Sequence, residues 1–82
     1  MDTDRPLLIV EDDQAFAKAL RRSLERRGFA VHQADGLEGT RTVLATVTPG
    51  YAVVDLKLAS GSGLDCVALL HGADPAMRIV VL

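Results

Sequence analysis

The chain has 82 residues and a net charge of −2 at neutral pH, with 49% apolar and only 4% aromatic residues. This composition is typical of one globular domain with an aliphatic core, and it excludes a disordered chain. The charge gives no electrostatic reason to expect direct contact with nucleic acid, and no apolar run reaches the roughly 18 residues that a membrane span requires.

The first predicted strand leads directly into an amphipathic helix. The continuous apolar run LLIV near the amino terminus is typical of a strand that is buried on both faces, as in parallel sheets. In the segment that follows, large apolar residues recur every four positions, at Phe16, Leu20 and Leu24. That period predicts a helix that begins near Asp13, a suitable N-cap, and ends at Gly28.

The rest of the chain repeats this alternation of strand and helix. FAVHQA is a second strand, and TPG (48–50) stops the helix that follows it. The stripe of that helix consists of Leu37, Thr40, Leu44 and Val47. YAVVDLKL is a third strand that again ends in a carboxylate. After the loop ASGSG (59–63), LDCVALLHG predicts a short helix closed by Gly72, and RIVVL is the last strand.

This order of elements defines the fold class. Strands and helices that alternate through short connections predict a three-layer α/β fold with one parallel sheet. Because crossovers between parallel strands are right-handed, the carboxyl ends of all strands should lie at one edge of the sheet. No repeat or low-complexity segment interrupts the pattern, so we expect a single domain throughout.

Carboxylates follow two of the predicted strands. Residues 11–13 are Glu-Asp-Asp directly after the first strand, and Asp55 follows the third. Open α/β sheets bind ligands where the winding direction reverses, and in the flavodoxin-like order 2-1-3-4-5 that point lies between strands one and three. Like charges this close repel each other, and a hard cation such as Mg²⁺ would relieve the repulsion. With such a cation present, a carboxylate can also accept a phosphoryl group.

The pattern LLIVEDD followed by VVDLKLASGSGLD resembles the receiver domain of two-component response regulators, whose fold is the flavodoxin-like one. The resemblance covers essentially the whole chain. It implies that Asp55 accepts a phosphoryl group from a sensor histidine kinase and also binds Mg²⁺. It further implies that Asp12 ligates Mg²⁺ directly, that Glu11 acts on the metal through water, and that the backbone carbonyl of Lys57 is another ligand.

The segment from DLKLASGSG to the end is also similar to redox-responsive global regulators of proteobacteria, which pair a receiver with a helix-turn-helix DNA-binding output domain. Receivers place a Ser or Thr directly after strand four and a Lys after strand five, and both contact the phosphoryl group. Here the sequence stops at Leu82, and neither Lys18 nor Lys57 can substitute. We therefore expect residues 1–82 to be the N-terminal portion of a receiver, with about four of its five strands.

An incomplete sheet has consequences for association. The strand IVVL would be an apolar edge with part of the sheet uncovered, and such edges invite pairing with another chain. The chain is accordingly expected to be excised from a longer protein or assembled with a partner, as a homodimer or a domain-swapped assembly. The output domain beyond residue 82 would bind DNA, whereas this segment would not.

Two other functions fit part of the pattern. Haloacid dehalogenase-type enzymes also use an aspartate nucleophile with Mg²⁺, but they carry a second Asp two residues later, where this chain has Lys57. A pseudo-receiver that is never phosphorylated would act as an interaction domain, and the intact acids argue against it. We therefore expect a signalling module rather than an enzyme.

Other polar residues have simpler roles. Asp13 is more plausible as a helix cap than as a ligand, and Asp65 favours the dipole of its helix. The single cysteine, Cys66, cannot form an internal disulfide, which favours a reducing compartment, the cytoplasm. Its simplest role is that of a small buried hydrophobic residue.

Overall fold

A computed structural model describes residues 5–58 and 62–82. The elements within these residues are, in chain order, β1 (Arg5–Val10), α1 (Gln14–Glu25), β2 (Phe29–Ala34), α2 (Leu37–Leu44), β3 (Tyr51–Val54), α3 (Gly63–Ala73) and β4 (Arg78–Val81). The strands form one parallel sheet in the order β2-β1-β3-β4. This order confirms the predicted flavodoxin-like α/β fold, with β1 and β3 side by side at the centre.

Helices cover both faces of the sheet. On one face the core is built around Leu8 and Val10, and residues of α2 and α3 pack against them. On the other face Leu7 and Ile9 form a second cluster with Ala17 of α1. These four aliphatic residues of β1 are at most 3% exposed, and burying each of their side chains contributes roughly 2 kcal/mol. The continuous apolar run of β1 is therefore explained by its burial on both faces.

Helix α1 begins as predicted, and Leu20 and Leu24 of its predicted stripe pack against the sheet, whereas Phe16 does not. Asp13 is its N-cap, and the Asp13 Oδ1 atom accepts a hydrogen bond of 3.1 Å from the backbone amide of Phe16. The helix ends at Glu25, before the expected Gly28, which lies in the following turn with φ +91°. Phe16 is 45% exposed, whereas Ala17 is 1% exposed. The small side chain of Ala17 thus makes the close contact with the sheet.

Helix α2 is shorter than the sequence pattern predicts. It ends at Leu44, so Val47 lies beyond it and does not extend its stripe as expected. The backbone amide of Val47 still donates to the carbonyl of Val43 at 3.0 Å, in a closing turn. The residues from Thr46 to Thr48 are all β-branched and precede Pro49, which disfavours the helical conformation directly before it. The β-branched residues ahead of Pro49 therefore explain why the helix ends at Leu44 and does not reach Val47.

The last described strand lies at one edge of the sheet. β4 pairs with β3, and Val80, Val81 and Leu82 are 56%, 45% and 52% exposed. This confirms the prediction of an exposed apolar edge. Part of the predicted loop at 59–63 lies outside the described residues. Within the part of the chain that is described, no helix is both long and apolar enough to cross a membrane.

Candidate functional site

The acidic residues that follow β1 and β3 meet because the two strands are neighbours in register. Val10 is paired with Val54, and the backbone amide of Asp55 donates a hydrogen bond of 3.0 Å to the carbonyl of Val10. The parallel ladder therefore continues to the first residue past β3. Glu11 is held on its other side, because its amide donates to the carbonyl of Ala34 at the end of β2, at 3.0 Å.

Glu11, Asp12 and Asp55 form the acidic cluster of this edge. One carboxylate oxygen from each residue lies within 4.8 Å of the others. Oxygens on opposite sides of a Mg²⁺ ion lie roughly 4.2 Å apart, because each Mg²⁺–oxygen distance is about 2.1 Å. The three oxygens are thus close enough for a small hard cation bound directly by some of them and through water by another. The donor set consists of oxygens only, which suits Mg²⁺ or Ca²⁺.

Burial makes the charge of Glu11 unfavourable. The residue is only 6% exposed, and this burial, with the nearby Asp55 and Asp12 carboxylates, raises its pKa above the usual range. A hydrogen bond of 3.2 Å from the backbone amide of Asp13 acts in the opposite direction. A cation in the cluster would remove much of this electrostatic cost.

The segment after β3 turns back on the side chain of Asp55. The backbone amide of Lys57 donates a hydrogen bond of 2.9 Å to the Asp55 Oδ1 atom, which fixes the orientation of the carboxylate. Lys57 is exposed, and Leu58 returns to the core with 4% exposure. The backbone amide of Lys57 therefore lies beside the Asp55 carboxylate. Asp13 caps α1 and is not a member of the cluster.

Comparison with known proteins identifies the family. Residues 7–82 match the response regulator receiver domain. The chain belongs to this family. Receiver domains are signalling modules that interact with histidine kinases, and the placement of the acidic cluster between β1 and β3 agrees with the receiver fold.

Two curated relatives have nearly the same identity to this receiver. The photosynthetic apparatus regulatory protein RegA of Cereibacter sphaeroides is 43% identical over 82 residues, which are 100% of this chain and 45% of that protein. The acid tolerance regulatory protein ActR of Rhizobium meliloti is 43% identical over 79 residues, covering 96% of this chain and 41% of that protein. The receiver described here thus spans less than half the length of these regulators.

Solved structures show the same fold. A response regulator from Burkholderia pseudomallei, with a phosphorylated aspartic acid, calcium ion and citrate, superposes with a TM-score of 0.88 and 37% identity, covering 95% of this chain and 46% of that one. A receiver domain protein from Methanospirillum hungatei superposes with a TM-score of 0.85 and 25% identity, covering 94% of this chain and 62% of that one.

A polar cavity of about 250 Å³ adjoins the acidic cluster of the receiver on the β2 side. Its lining consists of Glu11, Gln14, Gln33, Ala34, Asp35 and Gly39. Gln14, Gln33 and Asp35 were not among the predicted site residues. Asp35 could have been found, because it follows a strand at the same sheet edge as Glu11. The side chains of Gln14 and Gln33 gave no comparable signal in the sequence, since Gln33 lies within β2 and does not follow a strand. In the structure, the Gln33 Oε1 atom accepts a hydrogen bond of 2.9 Å from Arg21 of α1.

Proposed function

We propose that this receiver segment is a phosphoacceptor in which Asp55 takes a phosphoryl group from a sensor histidine kinase in a Mg²⁺-dependent reaction. The observation that carries the proposal is the convergence of Glu11, Asp12 and Asp55, with carboxylate oxygens within 4.8 Å of one another. An oxygen of Asp55 forms the new bond to phosphorus as the bond from phosphorus to the histidine nitrogen breaks. The phosphohistidine ring carries a proton on its other nitrogen, so it leaves as a neutral imidazole, and the product on this chain is an aspartyl phosphate.

The same residues would hold the metal. In this proposal Asp12 and Asp55 bind Mg²⁺ through carboxylate oxygens, Lys57 binds it through its backbone carbonyl, and Glu11 acts through water. When bound, Mg²⁺ neutralises the negative charge of the transferred phosphoryl oxygens. The hydrogen bond from the Lys57 amide to Asp55 Oδ1 keeps the acceptor carboxylate in one orientation before transfer.

The relatives support the wider proposal. The Burkholderia pseudomallei neighbour carries a phosphorylated aspartic acid and a calcium ion, at 37% identity to this chain. RegA and ActR are regulatory proteins about twice as long as the matched segment. We therefore propose that residues 1–82 are the N-terminal portion of a cytoplasmic response regulator. Its output domain beyond Leu82 would bind DNA under the control of phosphorylation, and this segment would associate as a homodimer or a domain-swapped assembly.

Intact mass spectrometry after incubation with a small acyl phosphate tests the proposal. The wild-type chain and a chain extended with the following residues of its natural protein are incubated with and without Mg²⁺. We expect one phosphoryl adduct, formed only with Mg²⁺ and absent from Asp55→Asn. Asp65→Asn is the matched control, because it removes the same charge from an exposed position in α3 and should leave labelling unchanged.

The controls also separate the alternative functions. If wild type and a folded Asp55→Asn variant form the same phosphoryl adduct, the phosphoryl acceptor is a residue other than Asp55. Absence of labelling in every folded variant would contradict the proposal and favour a pseudo-receiver that acts by binding partners.

A further inference from the structure

The start of α3 lies against the backbone that follows β3. A Cβ atom at Gly63 would lie 2.6 Å from the Leu56 Cα and 2.9 Å from the carbonyl oxygens of Asp55 and Leu56. Real Cβ atoms do not approach backbone atoms this closely, so the contact exists only because residue 63 lacks a side chain. The φ angle of Gly63 is not in the left-handed region. Glycine is therefore required at position 63 because there is no space for a side chain, and not because the backbone adopts an unusual conformation.

The contact cannot be relieved by moving α3. Cys66 and Leu70 anchor the helix in the core, and both are 0% exposed. The carbonyl of Ser62 accepts a hydrogen bond of 2.9 Å from the Cys66 amide, which makes Gly63 part of a regular first turn. Since protein cores are closely packed, displacing this helix would open space around two fully buried side chains.

The segment opposite Gly63 is anchored in the sheet and the core at its two ends, and its middle is exposed and held by the hydrogen bond from the Lys57 amide to Asp55 Oδ1. Asp55 is attached to Val10 through the sheet ladder, and Leu58 is buried in the core. Leu56 and Lys57, which lie between these anchors, are exposed. A side chain at position 63 would therefore displace the backbone of Leu56 and Lys57 more readily than any other part of the contact.

We propose that Gly63 is a positioning residue for the metal site: its close approach to Asp55 and Leu56 sets the backbone position from which Lys57 faces the acidic cluster. This inference rests on the proposed function, because Lys57 is the proposed carbonyl ligand. Gly63 itself touches neither metal nor phosphoryl group. Groups that orient metal ligands typically affect metal affinity by about 10-fold to 100-fold when they are altered.

Gly63→Ala tests the proposal, and Gly72→Ala is its matched control. Both changes add one methyl group to α3, but a Cβ at Gly72 would meet no atom within 4 Å. Each ¹⁵N-labelled chain is titrated with MgCl₂, and amide shifts are followed by NMR. We expect Gly63→Ala to bind Mg²⁺ at least about tenfold more weakly than wild type. Gly72→Ala should bind as wild type does.

A loss of fold is measured separately. Circular dichroism gives the folded fraction of each variant, and the titration is repeated with the double variant Gly63→Ala/Gly72→Ala, since alanine at position 72 favours the helix. A weak Mg²⁺ affinity in a folded variant is the expected result, because a purely structural role would lower stability and leave the affinity of the folded protein unchanged. Complete unfolding of both Gly63→Ala and the double variant would overturn the proposal. It would show that the added methyl group at position 63 disrupts the core instead of shifting the backbone of Leu56 and Lys57.

Two further results distinguish this inference from the proposed function. If wild type binds Mg²⁺, Asp55→Asn does not, and Gly63→Ala binds as tightly as Gly72→Ala, then the positioning role is wrong and the metal site stands. If wild type shows no Mg²⁺-dependent shifts at all, the proposed metal site fails and the positioning role fails with it.

Discussion

Glu11 is a buried carboxyl group whose pKa is raised by burial and by neighbouring carboxylates. A group whose pKa is higher in the folded state stabilises the fold below its unfolded pKa, and this contribution is lost as the pH rises through the folded pKa. Glu11→Gln never ionises, and its side-chain oxygen can still accept the hydrogen bond from the Asp13 amide. Without divalent cations, we expect this variant to have a midpoint of thermal unfolding a few degrees above wild type at neutral pH.

The pH dependence provides the check. The advantage of Glu11→Gln should shrink as the pH falls towards the acidic range, where wild-type Glu11 becomes protonated and uncharged. Thermal unfolding followed by circular dichroism in EDTA at several pH values measures this difference. Glu38→Gln, at an exposed position in the first turn of α2, is the control and should show no such gain. Equal midpoints for Glu11→Gln and wild type at neutral pH would contradict the prediction.

Asp13 is assigned to helix capping and not to the metal. Its Oδ1 atom accepts from the Phe16 amide, an otherwise unpaired donor in the first turn of α1. We expect Asp13→Ala to lower the free energy of unfolding by about 1 kcal/mol and Asp13→Asn to lower it much less, since Asn is an equally good cap. Urea denaturation measures both changes. Mg²⁺ affinity should be unchanged in both variants, and a large loss in both would make Asp13 a member of the metal site.

At the scale of elements, α1 depends on a small residue where it meets the sheet. Ala17 is 1% exposed in a cluster with Leu7, Ile9 and Val31, whereas Phe16 beside it is 45% exposed. We expect Ala17→Leu to destabilise the fold by about 1–3 kcal/mol, because the cluster has no room for a larger side chain. Phe16→Ala should cost less, and urea denaturation of both variants measures the two effects. A larger cost for Phe16→Ala would show that Phe16 forms the main contact.

The order and type of the elements could be predicted from the sequence, and the contacts between them could not. Apolar runs and helical periods identified each strand and helix, because burial on a sheet or a helix face leaves a regular pattern. The period correctly placed Leu20 and Leu24 against the sheet, but it did not show that Ala17 and not Phe16 is buried there, since Ala17 carries no strong hydrophobic signal. The early end of α2 was missed because the β-branched residues before Pro49 act through the backbone and not through the apolar pattern.

At the scale of the whole molecule, the acidic cluster could be predicted because topology alone brings it together. Glu11, Asp12 and Asp55 each follow a strand, and neighbouring parallel strands end at the same edge of the sheet. The burial of Glu11 and the close approach of Gly63 to Leu56 were not predictable in this way. Both depend on how tightly separate elements pack. A local stretch of sequence does not determine the distance between α3 and the segment that follows β3.

The exposed edge of the sheet predicts self-association of this chain. Val80 and Val81 of β4 and the following Leu82 are exposed apolar residues, and β4 is the strand at the end of the described sheet. Unpaired apolar edges pair with other chains, and a lysine on the edge prevents this. We expect the sedimentation coefficient of wild type to rise with protein concentration and that of Val80→Lys to stay constant. Ala19→Lys adds the same charge on an exposed position of α1 and should behave as wild type does. A wild-type coefficient that does not depend on concentration would show that this edge does not pair in solution.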